Sequence, residues 1–276
     1  MTKKLKNNRK YKGYVVLLWI LYFIPISLIA IVFIAAGTGR LGEMPSIEQL
    51  ENPKTNLATT IYSSDGIVLG KFYLNDNRTP IDFSQLPKSI IDALIATEDE
   101  RFYSHSGIDF RGTLRAIFYL GRKGGASTIT QQLARQLFVG IRSRNKIEAI
   151  IQKVKEWLLA VKLERRFTKS EIIAMYLNIY DFGYQADGIE SAAKIYFNKK
   201  PSDLLLEESA TLVGMLKNSS LYNPRRRPKL TTDRRNIVFN QMFRNKLISK
   251  NDLDSLRKLP LAIKFTPDSH REGLAT

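Results

Sequence analysis

Hydrophobic and polar residues divide the chain into an apolar N-terminal segment, a short polar connection and a long amphipathic region. No charged residue occurs from Gly13 to Gly39, and the middle of this segment reads VVLLWILYFIPISLIAIVFIAA. The run is longer than the roughly 20 residues that cross a bilayer. It also exceeds the apolar region of a signal peptide, and Ala35-Ala36-Gly37 is its one candidate cleavage site. The pattern predicts a transmembrane helix over residues 13–39, which tolerates Pro25.

The segments on either side of the predicted helix indicate its orientation. Residues 1–12 read MTKKLKNNRKYK, with six Lys and Arg and no acid. The positive-inside rule therefore places them in the cytoplasm as a basic tail. Residues 40–60 are polar, contain two prolines and are typical of a linker. We expect a single-pass protein of the cytoplasmic membrane, with the rest of the chain outside.

The region after the linker is predicted to form one domain over residues 61–265. Asp65-Gly66 lies between β-prone flanks and predicts a small hairpin over residues 61–74. From Pro87 onward helical spacing dominates. We expect a mainly α-helical fold with a minor β-hairpin.

Two of the predicted helices carry polar residues at informative positions. The segment PKSIIDALIATEDERF places four aliphatic residues on one face and ends at Glu98 and Asp99. Further along, Thr128 followed by Gln131 resembles a capping box that opens a second helix. Polar side chains are thus expected at the end of one helix and at the start of another.

A longer helix is predicted over roughly residues 145–166. Gln152, Glu156, Ala160 and Glu164 form a line at four-residue spacing along it. We expect the separate aliphatic and aromatic stripe to be the buried face: Ile147, Ile150, Ile151, Val154, Trp157, Leu158 and Val161.

Composition and charge exclude several kinds of site. The sequence has no cysteine, which excludes disulfides and thiolate metal sites. Its two histidines, His105 and His270, lie far apart, which argues against a histidine-based zinc site. Of the net charge of +17, residues 41–276 keep +10, with 36 basic and 26 acidic residues. A basic domain outside the membrane fits anionic lipid headgroups or an anionic lipid-linked substrate, and we expect no nucleic-acid partner.

Glu98 and Glu156 are the two carboxylates of chemical interest. Glu98 lies where an apolar helix meets the aromatic run RFYSHSGID, and Glu156 lies on the polar line of the long helix. Paired carboxylates are the standard groups of glycosyl chemistry. Solvated surface residues are the alternative for both. The pattern alone favours a helix-end or turn residue at Asp99 and a structural hydrogen-bond donor at His105.

Five motifs follow one another within residues 57–262. They are Glu98-Asp99-x-x-Phe102-x-x-His105-x-Gly107-x-Asp109, Gly125-x-Ser127-Thr128-x-Thr130-Gln131-Gln132, Lys153-x-x-Glu156, Lys169-x-Glu171 through Asn178, and Arg234-Arg235-Asn236 with Met242. In type and order they resemble the motifs of the peptidoglycan glycosyltransferases. This family comprises monofunctional transglycosylases and the N-terminal domains of class A penicillin-binding proteins.

The resemblance implies a lysozyme-like helical fold that polymerises lipid II into glycan strands at the bacterial inner membrane. Glu98 would be the general base for the acceptor's GlcNAc 4-hydroxyl. The MurNAc anomeric carbon would be attacked with inversion, and polyprenyl pyrophosphate would leave beside Glu156. Substrate-binding roles are implied for a further set of residues: Asp99, His105, Ser127, Thr128, Thr130, Gln131, Gln132, Arg135, Gln152, Lys153, Asn178 and Lys217.

The leaving group explains the composition of residues 124–138, GGASTITQQLARQLF. Pyrophosphate needs no general acid, but its developing charge must be met by cations and oriented donors. Hydroxyls, amides and Arg135 supply these, partly at a helix N-terminus that favours phosphate. The resemblance also leaves open a divalent cation, Mg²⁺ or Mn²⁺, near Glu156, and it implies no organic cofactor.

The chain departs from the family pattern around the expected pyrophosphate site. Gln152 stands where the family usually has Arg, and Gln136 follows Arg135 where the family usually has Lys-Asn. Ala174 replaces a frequent Glu. The segment FVGIRSRNKIEAI is longer than the usual loop, so Arg142, Arg144 or Lys146 could supply the missing cation. Restoring that cation by Gln152→Arg is expected to be tolerated.

Two further segments bear on partners. The apolar run over residues 108–121, with basic neighbours including Arg122 and Lys123, is expected to contact the membrane, and an ordinary core helix is the alternative. Residues 266–276 form a tail that could begin the linker to a transpeptidase domain. No Ser-x-x-Lys occurs in a transpeptidase context, so we expect no penicillin-sensitive cross-linking by this polypeptide.

Two other functions remain open. A lysozyme-like lytic muramidase would share the fold, but it needs an acid and no pyrophosphate site. A catalytically impaired scaffold that binds lipid II or other cell-wall synthesis proteins would account for Gln152 and the longer loop.

Overall fold

The first helix is long, apolar and exposed. The computed structural model describes residues 2–51, 59–65, 68–72, 78–119 and 125–267. Helix α1 runs over Thr2–Gly37, and its part from Tyr11 to Gly37 has a mean hydropathy of 2.8 and is long enough to cross a membrane. The helix therefore begins earlier than the predicted residue 13, since the basic tail continues it. Its apolar side chains face outward, as lipid contact requires.

A short helix and two strands follow α1. Helix α2 covers Ile47–Glu51, inside the predicted linker. Strands β1 (Thr59–Tyr62) and β2 (Val68–Phe72) pair antiparallel, with Thr59 opposite Phe72 and a register shift at Ile61/Tyr62. Gly66 of the predicted turn lies outside the described residues.

Helices make up the rest of the described chain. They are α3 (Lys88–Glu98), α4 (Phe110–Phe118), α5 (Ile129–Ala134), α6 (Lys146–Glu164), α7 (Lys169–Ile179), α8 (Gly188–Phe197), α9 (Leu206–Met215), α10 (Pro228–Arg244) and α11 (Lys250–Leu256). Helix α5 continues into a π-helical turn over Arg135–Val139. The fold is mainly α-helical, as predicted.

Helix α9 lies at the centre of the core. Its residues from Glu208 to Met215 are all buried, and it packs against both α3 and α10. On the other side of the core, α5 packs between α6 and α7. This arrangement brings the C-terminal end of α3 close to both α5 and α10.

The face of α6 that packs inward is largely not the one predicted, since Val154 is the one buried residue of the predicted stripe. Ile147 and Ile150 of the predicted stripe are 70% and 61% exposed, whereas Glu156 and Ala160 of the polar line are buried. The stripe instead approaches the membrane helix, since the ring of Trp157 lies 6.1 Å from that of Phe33 on α1. An apolar stripe need not face the protein core when a membrane segment and lipid are adjacent.

Gly107 packs against the backbone of α6 at Ala160, the small residue of the polar line. A side chain at Gly107 would meet the Ala160 backbone at 2.8 Å, and the φ of +90° at Gly107 favours glycine. The loop therefore packs directly on the α6 backbone. The Gly107 carbonyl accepts hydrogen bonds from Thr128 Oγ1 at 2.8 Å and from Gln131 Nε2 at 3.0 Å.

Candidate active site

A cleft of about 330 Å³ opens beside Glu98, the last residue of α3. It lies between the end of α3, the segment that leads into α5 and the end of α10. Of the predicted site residues, four line it: Glu98, Asp99, Ser127 and Thr128. The cleft is strongly polar, as a sugar-phosphate site would require.

The Glu98 carboxylate accepts from one neighbour and is paired with another. Gln132 Nε2 donates to Glu98 Oε2 at 3.0 Å, and Arg234 Nη2 lies 3.5 Å from Oε1. Tyr176 donates its hydroxyl proton to Gln132 Oε1 at 2.9 Å, which turns the amide so that its NH₂ faces Glu98. Glu98 therefore acts as an acceptor towards both neighbours and remains partly exposed.

Two tyrosines near Glu98 remain proton donors. Burial raises the pKa of Tyr176 well above its ordinary value, and the charge of Glu98 raises it further. Burial and then Glu98 raise the pKa of Tyr180 to about 12. Neither phenol can serve as a base near neutral pH.

A second cluster centres on the Lys153 ammonium. Nζ donates to Ser127 Oγ at 2.8 Å, to Gln131 Oε1 at 2.9 Å and to Glu156 Oε2 at 2.9 Å. Glu156 is 2% exposed, and its burial accords with this direct pairing. The structure thus brings together four predicted site residues, and Ser127 connects them to the cleft.

Positive charge dominates this second cluster. Burial lowers the pKa of Lys153; Glu156 opposes this, and the charges of Arg142 and Arg135 lower the pKa further. The Lys153 ammonium is paired with one buried carboxylate and also experiences the positive charges of two arginines, which suits an anionic ligand.

Asp99, His105 and Thr128 join the segments around the cleft. The Asp99 carboxylate contacts His105 Nε2 at 3.0 Å and accepts from the Ile129 N–H at 3.1 Å. Thr128 Oγ1 accepts from the Gln131 N–H at 3.1 Å, which is half of the predicted capping box. The Gln131 side chain instead reaches Gly107 and Lys153. Asp99 and Thr128 thus occupy two N–H groups at the start of α5 that were expected to face phosphate.

Three other predicted binding residues are engaged elsewhere. Thr130 donates to Glu164 Oε1 at 2.6 Å, and the Asn178 amide bonds both backbone groups of Ile81. Gln152 bonds the loop before α6. Their side chains already have protein partners, so a role in substrate binding stays a prediction for each.

Arg135 and Lys217 are more accessible. Arg135 is half-buried in the π-helical turn after α5, on the side of Lys153. Lys217 is exposed just beyond α9. It follows Met215, whose carbonyl accepts from Tyr180 at 3.0 Å.

Sequence reasoning assigned no role in the active site to Arg234, which contacts Glu98, or to several residues that line the cleft. Arg234 belongs to the last of the five motifs, but its contact with Glu98 becomes visible only in the folded structure. The cleft is also lined by a set of basic and amide side chains: Arg101, Arg115, Gln241, Arg244 and Asn245. The sequence does show that α10 ends in polar residues, among them Gln241, Arg244 and Asn245. That pattern is the same as at an ordinary solvent-exposed helix end.

The side chains around Glu156 do not by themselves fit a divalent cation. Within the described residues, no group of three His, Cys, Asp or Glu side chains could hold a metal ion. The Glu156 carboxylate is already paired with the Lys153 ammonium, which a metal would have to displace.

Helix α4 presents an exposed apolar face. Phe110, Leu114 and Phe118 are 71%, 66% and 82% exposed, so the alternative of an ordinary core helix is wrong. Arg111 and Arg115 lie among them. Arg122 and Lys123, which were part of the predicted membrane contact, lie outside the described residues.

Comparisons with known proteins agree with one another on family. The sequence model of the transglycosylase family matches residues 65–243. The chain is similar to penicillin-binding protein 1A of Haemophilus influenzae, at 39% identity over 74% of this chain and 24% of that protein. It is also similar to penicillin-binding protein 1A of Escherichia coli, at 36% identity over 78% of this chain and 25% of that protein.

The chain spans about a quarter of the length of the curated relatives it matches. Among solved structures, a 2.6 Å crystal structure of penicillin-binding protein 1A from Haemophilus influenzae matches with a TM-score of 0.42 and 25% identity. That match covers 77% of this chain and 22% of the crystallised one.

Proposed function

Because the chain belongs to the transglycosylase family of peptidoglycan glycosyltransferases, we propose that it polymerises lipid II into glycan strands at the bacterial inner membrane. The observation that carries this proposal is the position of Glu98. Its carboxylate lines a polar cleft, accepts from Gln132 and is paired with Arg234. A second, cationic cluster lies across Ser127 from it.

In this proposal Glu98 is the general base. It removes the proton from the 4-hydroxyl of the acceptor's GlcNAc, whose oxygen forms a bond to the anomeric carbon of the donor's MurNAc. The bond from that carbon to the pyrophosphate breaks on the opposite face, which inverts the configuration. The proton remains on Glu98 and the electron pair leaves with polyprenyl pyrophosphate.

The cluster around Lys153 would stabilise the leaving group. A pyrophosphate gains negative charge as the bond breaks, and preorganised cations and donors stabilise that charge most in a site shielded from water. Lys153, Ser127 and Arg135 are the groups we assign to this role. Glu156 would hold the Lys153 ammonium in place, since the two are 2.9 Å apart.

Lipid II lies in a membrane, and the exposed apolar surfaces of the chain suit that location. We assign α1 as a single-pass anchor with its N-terminus in the cytoplasm, based on its basic first residues. The apolar face of α4, with Arg111 and Arg115, would rest on the outer surface of the bilayer. Both surfaces would hold the cleft next to a substrate that stays in the membrane.

A lytic muramidase is less well supported. Such an enzyme needs a protonated carboxylic acid that donates to the glycosidic oxygen. Glu98 instead has a donor amide on one oxygen and a guanidinium near the other. A lytic enzyme would also have no use for the cationic cluster around Lys153.

Incubation of the purified full chain with labelled lipid II tests the proposal. Electrophoresis of the products separates three outcomes, and polymer with released polyprenyl pyrophosphate is the one expected. Cleavage of preformed glycan would instead support the muramidase. Binding of lipid II without any product would support the impaired scaffold and overturn the proposal.

A further inference from the structure

A second pocket opens beside the loop that joins α3 to α4, and we call it the loop pocket. Its volume is about 580 Å³, within the usual range for sites that hold a small ligand. Its walls come from that loop, from the start of α4 and from Val161 on α6. The lining includes five charged or hydroxyl-bearing side chains, those of Arg101, Ser104, Ser106, Asp109 and Arg111.

An ion pair forms part of the boundary between the loop pocket and the active-site cleft. Arg101 and Asp109 line both of them. Arg101 Nε donates to Asp109 Oδ1 at 3.3 Å, and its Nη2 is paired with Oδ2. The same carboxylate accepts from the Gly112 N–H at 3.0 Å. The negative charge of Asp109 is therefore already matched within the protein.

The loop pocket has a further cation, Arg111, in the first turn of α4. Arg111 is exposed, and within the described part of the chain it has no ion-pair partner. Ser104 and Ser106 are exposed as well, and their hydroxyls belong to the same pocket. The start of a helix adds partial positive charge that stabilises phosphate. A guanidinium, two hydroxyls and a helix start together suit a ligand with a single phosphate group.

The loop pocket lies close to the end of the membrane helix. The ring of Trp157 on α6 lies 6.1 Å from that of Phe33, near the end of α1. Val161 follows Trp157 by about one turn of α6, so one wall of the pocket begins beside α1. On the other wall, Phe110 is 71% exposed and belongs to the apolar face of α4. The pocket is thus bordered by the two surfaces that we assign to the bilayer.

We propose that the loop pocket binds the anionic phosphodiester headgroup of a membrane phospholipid such as phosphatidylglycerol. Arg111 contacts the phosphate, and Ser104 and Ser106 form hydrogen bonds with the phosphate or the glycerol hydroxyls. A phospholipid is the occupant because anionic headgroups are concentrated at the membrane surface that the pocket borders. The inference rests on the proposed membrane placement and not on the proposed reaction. One bound headgroup would fix the depth of α4 at the bilayer, and with it the adjoining cleft.

Calorimetric titration of the full chain in neutral detergent tests the proposal, with short-chain phosphatidylglycerol as the probe. We expect it to bind at least about tenfold more tightly than short-chain phosphatidylcholine, whose headgroup carries a compensating positive charge. Arg111→Gln should weaken the binding of phosphatidylglycerol about tenfold, the usual effect of losing one charge-assisted hydrogen bond. Equal affinity of the wild type for the two lipids would overturn the proposal.

Lys155→Gln is the matched control for charge. Lys155 lies near the same end of α1, since a side chain at Gly42 would meet its ammonium at 2.7 Å, and it does not line the loop pocket. Its substitution removes the same charge and should change the affinity less than about twofold. Equal losses in Lys155→Gln and Arg111→Gln would show a diffuse attraction to a basic surface and would contradict a defined site.

Ser104→Leu fills the loop pocket without removing a charge. Because Ser104 is exposed, the unfolding temperature should stay close to that of the wild type. The larger side chain would take the space of the headgroup, so the affinity for phosphatidylglycerol should fall to that for phosphatidylcholine. Wild-type affinity in the folded Ser104→Leu protein would place the lipid elsewhere and refute the proposal.

Two soluble anions distinguish the source of the phosphate. Neither inorganic phosphate nor inorganic pyrophosphate at equal concentration should displace phosphatidylglycerol, since the acyl chains of the lipid also contact the apolar face of α4. Displacement by phosphate would indicate a general anion site, and displacement by pyrophosphate would assign the pocket to lipid II; either result overturns the proposal. If the wild type binds phosphatidylglycerol through Arg111 but makes no polymer, the proposed function fails and the lipid site stands.

Discussion

Arg234 on α10 lies 3.5 Å from Glu98 at the end of α3, and both side chains are largely buried. The guanidinium Nε also faces the Gly214 carbonyl on α9 at 3.4 Å, so Arg234 connects three helices at the proposed base. The guanidinium is the charged partner of the Glu98 carboxylate in this position.

Removing the Arg234 charge should lower the rate. Arg234→Gln is expected to reduce kcat at least about tenfold, since Glu98 loses its charged partner, and to destabilise the fold by about 1–3 kcal/mol. Steady-state kinetics and thermal unfolding measure the two effects. Arg226→Gln, at an exposed arginine, is the matched control and should alter neither. Unchanged kcat in a folded Arg234→Gln protein would show that the base works without its cation.

Lys153 should set the alkaline limit of activity. Its pKa is lowered by burial, so the ammonium loses its proton at a lower pH than an ordinary lysine. Because the charged form stabilises the leaving group in the proposed reaction, kcat/KM should fall as the pH rises through that lowered pKa. The same shift means that the unfolded chain binds more protons in this window, so this residue's contribution to stability rises with pH.

The pH profile of a variant identifies the titrating group. Lys153→Gln should be less active than the wild type at neutral pH and should lack the alkaline decline. Lys162→Gln on the same helix should keep the wild-type profile. A decline that persists unchanged in Lys153→Gln would assign the alkaline limb to another group.

Gly107 should be essential for stability. Gly107→Ala combines an unfavourable positive φ with a contact 2.8 Å from the Ala160 backbone, and it should cost about 1–3 kcal/mol. Gly140→Ala separates the two causes, because Gly140 also has a positive φ but has open space around it. Thermal unfolding should show a larger loss for Gly107→Ala. Equal losses would mean that the close packing against α6 contributes nothing.

The membrane helix should matter only for substrate in a bilayer. Deletion of residues 1–39 is expected to lower activity on liposome-borne lipid II far more than on detergent-solubilised lipid II, because the anchor raises the effective concentration of a membrane-bound substrate. The truncated protein should still bind anionic liposomes weakly and dissociate as the salt concentration rises. Equal activity of both proteins on liposomes would show that the exposed face of α4 suffices.

Local features of the fold could be predicted from the sequence. The apolar length of α1, the end of α3 at Glu98 and the cap of α5 at Thr128 each depend on neighbouring residues. The order of the motifs was also enough to predict that Ser127, Gln131, Lys153 and Glu156 belong to one site. The structure brings these four together.

Features that depend on distant contacts could not be predicted. Periodicity gives a helix its two faces but does not say which one meets the core, and α6 has its polar line buried because Lys153 pairs with Glu156 and Gly107 packs on Ala160. The partner of Asp99 at the start of α5 and the contact of Arg234 with Glu98 join residues far apart in sequence. The loop contacts of Gln152 were hidden for a different reason, since its side chain bonds backbone groups that carry no sequence signal.

The measurement that tests the account most directly is lipid II polymerisation by Glu98→Gln. Glutamine preserves the size of the side chain but cannot take the acceptor's proton, so the rate should fall about 10²–10⁴-fold. Lipid II binding and the unfolding temperature should stay close to those of the wild type. Activity above about a tenth of the wild-type rate in the folded variant would remove Glu98 from the role of base and contradict the account.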